Sequence, residues 1–118
     1  MEFVTFELAK KLEEKGFNWI CSHYYRTKCK DLFMAFPCED WSNTGERIDA
    51  PTISQVLKWL REEKKIYLEI VIVVDAEYMC DIYKINPRPI ECLGSTEYFK
   101  TYEQAALAGV EYCLDNLI

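Results

Sequence analysis

Four apolar residues, Ile53, Val56, Leu57 and Leu60, recur at i, i+3, i+4 and i+7, the stripe of a helix with one face on a core. Thr52 and Gln55 form a Thr-x-x-Gln capping box ahead of it, and Pro51 precedes the cap. Lys58, Arg61, Glu62 and Lys65 fall on the wetter side. The same logic predicts a helix over 5–15, with Thr5 as N-cap and Leu8 and Leu12 at helical spacing. Gly16 then takes the position after the cap, where positive φ is needed, and Phe17 folds back onto Leu12 in a Schellman motif. A third helix starts at Thr101, with Gln104 completing its box. Ala106, Val110, Cys113 and Leu117 run down one side of it, flanked by Leu107 and Leu114. Gly109 in its middle is unfavourable for a helix by about 1 kcal/mol against Ala, which points to a close approach to a sheet.

Between the helices the period changes to two. His23, Tyr25, Thr27 and Cys29 alternate with Tyr24, Arg26, Lys28 and Lys30, which predicts a hairpin over 19–37. The expected turn is Lys30-Asp31, with a return strand over 32–36. Residues 39–50 are polar, contain Asn43-Thr44-Gly45, and read as a loop carrying Trp41. After the second helix, YLEIVIVV is rich in β-branched residues. Ile66, Leu68, Ile70, Ile72 and Val74 share one face, and Tyr67, Glu69, Val71 and Val73 the other. A turn at 75–77 and a return over 78–85 make a second hairpin, expected at the centre of its sheet because both faces are partly apolar. Asn86-Pro87-Arg88-Pro89 ends it, and 90–99 has room for a short edge strand.

The order is α-β-β-α-β-β-α. The expected fold is therefore α+β, a two-layer sandwich in which an antiparallel sheet built from hairpins carries helices on one face. Its 118 residues suit one domain, 1–118.

Composition narrows the function. Half of the residues are hydrophobic, which excludes disorder. The net charge of -6 lowers the prior for sequence-independent nucleic-acid binding and favours solubility. The N-terminal MEFVTFELAKKLEEKG is not a signal peptide, and no apolar run is long enough to span a bilayer, so a cytoplasmic protein with no membrane association is expected. On that expectation the six cysteines are reduced, most of them packed as small hydrophobes.

Three segments, FELAKKLEEKGF, APTISQVLKWLREEKKIYLEI and YEQAALAGVEYCLDNLI, resemble a group of small uncharacterised proteins of Bacteroides-type gut bacteria and their phages and mobile elements. About half of the chain is covered; residues 22–49 are not. The resemblance implies an origin and a domain unit, and transfers no site residue.

No Gly-rich phosphate loop, H-E-x-x-H or G-x-S-x-G is present, so no enzyme and no cofactor are expected. Ser22 neighbours the single histidine, His23, but successive residues of a regular strand point to opposite faces. A turn at Lys30-Asp31 sets His23 across from Cys38 with Cys21 on the same face, a weak metal-ligand set needing a fourth group such as Cys92. Packed thiols around a satisfied histidine are the plainer reading. Tyr24, Arg26, Lys28 and Lys30 share a strand face that could stack on bases and meet phosphates, or simply be the wet side of an edge strand. Trp41 and Trp59 are candidate anchors for a protein partner, with partial burial in the domain's own core the plainer reading of Trp59. The leading expectation is a non-enzymatic protein-interaction module, an accessory protein of a phage or mobile element, binding an unknown protein or its own copy as a homodimer. Nucleic-acid binding through Tyr24 to Lys30 is the alternative.

Overall fold

The first helix, α1 (Phe6–Glu14), begins where the cap predicts: the Leu8 N–H donates to the Thr5 hydroxyl oxygen at 3.3 Å. It ends in a complete Schellman motif, with Phe17 N–H donating to the Leu12 carbonyl at 2.9 Å and Gly16 N–H to the Glu13 carbonyl at 3.1 Å. Gly16 sits at φ +92°, and Phe17 and Leu12 are both buried. The structure is a computed structural model that describes residues 2–34, 47–85 and 90–118. Trp41, Cys38 and the Asn86-Pro87-Arg88-Pro89 segment lie outside the described residues.

The chain is α+β, with three helices and two antiparallel three-stranded sheets among the described residues. It divides into two units, residues 1–52 and 53–118. In the first, β1 (His23–Arg26) lies between β2 (Leu32–Met34) and β3 (Arg47–Ala50). Three expectations are corrected here. β1 is central rather than an edge strand. The end of the expected 39–50 loop is strand β3, whose polar RIDA sequence hides a half-buried alternation. The hairpin also turns earlier than Lys30-Asp31: Lys30 N–H donates to the Arg26 carbonyl at 2.8 Å, Arg26 N–H to the Asp31 carbonyl at 3.2 Å, and Lys30 takes φ +58°. His23 therefore pairs with Met34 and not with Cys38.

The side of this sheet bearing His23 and Tyr25 receives α1. Phe6 meets the Tyr25 ring edge-on at 5.7 Å, and Ile48 and Ala50 are buried beside Leu8 and Leu12. The N-terminal segment is tied to the same sheet. Phe3 bridges Thr52, Val4 N–H donates to the Pro51 carbonyl at 3.1 Å, and the Tyr25 hydroxyl donates to the Val4 carbonyl at 2.6 Å.

The second unit contains α2 (Ile53–Glu63), β4 (Ile66–Ile72), β5 (Tyr78–Lys84), β6 (Glu91–Ser95) and α3 (Tyr102–Asn116). The strand order is β4-β5-β6, so the expected edge strand in 90–99 is present as β6. The β4-β5 hairpin is not central as a unit: β5 is the middle strand, and among the described residues β4 pairs on one side only. Its residues read as doubly apolar because one face meets the helices and the other is a part-apolar outer surface. Ile66, Leu68, Cys80 and Ile82 are buried, while Tyr67 and Glu69 are exposed. Both helices pack on the buried face. α2 contributes Ile53, Val56, Trp59 and Leu60, and α3 contributes Ala105, Ala106, Gly109, Val110, Cys113 and Leu114. The cap of α3 is as expected, Gln104 N–H donating to the Thr101 hydroxyl at 3.1 Å. Helices on one face of a hairpin-built sheet is thus the arrangement within each unit.

Candidate functional site

In the first unit, the sheet face opposite α1 carries a stack of cations and rings. The Arg47 guanidinium lies 3.9 Å from the Tyr24 ring centroid. Tyr24 stacks on its cross-strand partner Phe33 at 5.9 Å, and Arg26 covers Phe33 at 4.7 Å. The expected Tyr24–Lys30 binding face is not assembled. Tyr24 is 1% exposed, so its ring offers no free platform for a base. Lys28 is exposed on the turn. Lys30 turns to α1, with its ammonium 3.9 Å from the Glu7 carboxylate and 5.3 Å from the Phe6 centroid. Only Tyr24 and Arg26 share the face.

Cys21 and His23 do not form a ligand set. The Cys21 thiol donates to the Trp19 carbonyl at 3.4 Å, and burial, reinforced by the Asp49 carboxylate, pushes its pKa up to about 12. A thiol held protonated in this way is a poor metal ligand. The His23 ring packs on Phe3 at 4.4 Å between centroids. Its Nδ1 is hydrogen-bonded to the Ser22 hydroxyl at 2.8 Å, a pairing that regular strand geometry forbids. Ser22 makes it because it sits in a bend just before β1. No carboxylate holds the ring among the described residues, so the pair lacks the orienting group of a catalytic triad. Among the described residues no three metal-ligating side chains cluster.

Trp59 takes the core position rather than the anchor role: it is 2% exposed, within the α2 core stripe, with the Lys64 ammonium 5.4 Å from its ring. The cysteines are also less uniformly packed than expected, since Cys80 and Cys113 are buried but Cys29 and Cys92 are exposed.

The site that sequence reasoning missed is the outer face of β4-β5-β6. Strand register sets Tyr67 opposite Tyr83, Glu69 opposite Asp81, and Val71 opposite Met79. β6 extends two of these rows with Cys92 and Ser95. A cleft of about 280 Å³ opens at the Tyr67 end, lined by Tyr67, Glu69, Tyr83, Ile85 and Ile90, and almost all of its wall is apolar. Tyr67 is 41% exposed and Ile90 64%. Asp81 accepts from the Ser95 hydroxyl at 2.7 Å, which fixes one carboxylate of the acidic row. The Tyr83 phenol is pushed above its ordinary pKa, first by partial burial and then by the Asp81 and Glu69 carboxylates. The first unit has a larger groove, about 570 Å³, but its walls mix Glu7, Glu13 and Glu14 with Lys10, Lys30 and Arg47, so its charges largely balance.

One signal for the missed cleft was in the sequence: Tyr67 and Glu69 fall on one face by strand period. What juxtaposes them with Tyr83 and Asp81 is register, which depends on the turn. Comparison with protein-family models, curated proteins and solved structures yields no match. No helix among the described residues is long and apolar enough to cross a membrane.

Proposed function

We propose that the protein is a non-enzymatic interaction module that binds a protein partner through the outer face of β4-β5-β6. One observation carries the reading: an apolar cleft with two tyrosines standing opposite each other on an otherwise accessible sheet face. Protein-binding surfaces are enriched in tyrosine, and an apolar patch rimmed by polar groups marks such a surface. The neighbouring edge of β4 supports it, because a strand that pairs on one side only among the described residues can add an extended segment of a partner by backbone pairing. We propose with it an accessory role in a phage or mobile element.

The test is site-specific photo-cross-linking. Benzoylphenylalanine at position 83 should trap a discrete protein in cells that make this chain, and the adduct should be lost on Tyr67→Ala. The same probe at exposed position 28, on the turn of the first unit, should trap nothing in common with it. Equal adducts from both positions would contradict the reading. Nucleic acid remains the second reading, since Arg26 places a guanidinium beside Phe33 with its Nε buried and, among the described residues, without a hydrogen-bond partner. Salt-dependent retention on RNA or DNA, lost on Arg26→Ala, would favour it.

A further inference from the structure

The charge on the outer face of β4-β5-β6 has one sign. Along the described strands, the residues facing outward are Tyr67, Glu69, Val71, Met79, Asp81, Tyr83, Cys92 and Ser95; two carboxylates are present and no cation. Glu69 and Asp81 are direct cross-strand partners, and like charges in that relation repel. Neither forms an ion pair among the described residues. Among the described residues the sheet thus holds a negative row with no cation paired to it, immediately beside a cleft walled by two tyrosine rings.

A cation answers both features. The faces of tyrosine rings attract ammonium and guanidinium groups, and a long aliphatic stem fits an apolar wall while its charged head reaches a carboxylate. We infer that the cleft receives a lysine or arginine side chain from an extended segment of a partner protein, its stem between Tyr67 and Tyr83 and its head over Glu69 and Asp81. This rests on the interaction reading above and adds the chemistry of the partner.

A second copy of the chain fits this face poorly. A two-fold interface presents a surface to itself, and along the described strands this surface offers two carboxylates and no cation to answer them. A basic partner removes the repulsion that a copy doubles.

The test is fluorescence anisotropy with three labelled heptapeptides of alternating threonine and valine. They differ only at the central residue: lysine, its uncharged isostere norleucine, or glutamate. The lysine peptide should bind saturably and about tenfold more tightly than the norleucine peptide, with the glutamate peptide weakest, and the preference should shrink with added salt. Glu69→Gln should weaken the lysine peptide about tenfold and leave the norleucine peptide unchanged, whereas Tyr83→Ala should weaken both. Circular dichroism melting of each variant confirms that it is folded. Equal affinity for lysine and norleucine would overturn the inference while leaving an apolar docking cleft in place. So would a cross-link at position 83 to a partner whose binding ignores Glu69→Gln. No binding of any peptide at millimolar concentration would overturn it. So would a dimer seen by sedimentation equilibrium and dissolved by Tyr83→Ala, in favour of a second copy.

Discussion

A Cβ atom on Gly109 of α3 would stand 2.5 Å from the Sγ of Cys80 on β5, and 3.3 Å from the Cys80 Cβ. The helix lies so close to the strand that hydrogen is the only side chain that fits. Helix propensity alone says that Ala at this position should help by about 1 kcal/mol. Overpacking a buried contact costs about 1–3 kcal/mol, and here the obstructing sulfur is fully buried.

Gly109→Ala should therefore lower stability, by up to about 2 kcal/mol net. Urea denaturation checks it. In a Cys80→Ala background, where the sulfur is gone, the penalty should shrink, and a double-mutant cycle reads the coupling directly. A more stable Gly109→Ala protein would mean that α3 sits farther from the sheet.

The β4-β5 loop stores strain that can be released. Asp75 and Ala76 have φ of +64° and +58°. Asp tolerates this region, but for Ala the crowding of Cβ against the carbonyl costs roughly 1–2 kcal/mol. Ala76→Gly should raise stability by about 0.5–1 kcal/mol, less than the full strain because Gly also gains freedom in the unfolded chain. Thermal melting checks the sign.

Alkaline stability follows from three thiols. Burial is the main cause that pushes Cys80 and Cys113 up to about 12, with smaller contributions from Asp81 and from Cys80 respectively; Cys21 is also raised to about 12. The unfolded chain releases these protons from about pH 8.5, the folded chain only near pH 12. Stability contributed by the protonated thiols is full below the unfolded value and is lost as pH rises through that window. Each fully buried thiol steepens the loss by at most about 1.4 kcal/mol per pH unit. Cys113→Ala should flatten the decline in folding free energy measured between pH 9 and 11, and the exposed Cys92→Ala should not.

The helices could be read from the chain because their signals are local. Thr5, Gly16 and Thr101 cap within one turn of themselves, and each does so in the structure. The first hairpin was misplaced because its turn uses Lys30 at positive φ, a conformation that lysine does not advertise. Moving the turn shifted the partner of His23 by four residues, from Cys38 to Met34, and the proposed ligand set went with it. An even shift leaves every side chain on its original face, so the alternation still read correctly. β3 escaped notice because four residues of mixed polarity become a strand only when β1 is there to pair with them. The cleft was hidden for the same reason. Tyr67 and Tyr83 are sixteen residues apart, and only the seven-pair register of β4 with β5 brings them together.

Backbone amide mapping by NMR tests the central claim most directly, namely that the sheet of the second unit keeps one face for its helices and offers the other to a partner. Titration with the lysine heptapeptide should move amides of Tyr67, Glu69, Asp81 and Tyr83 and of the β4 edge, and leave Val110, Cys113 and Leu114 in α3 unmoved. Shifts concentrated in α2 and α3, or in the Tyr24–Arg26 strand of the first unit, would contradict it.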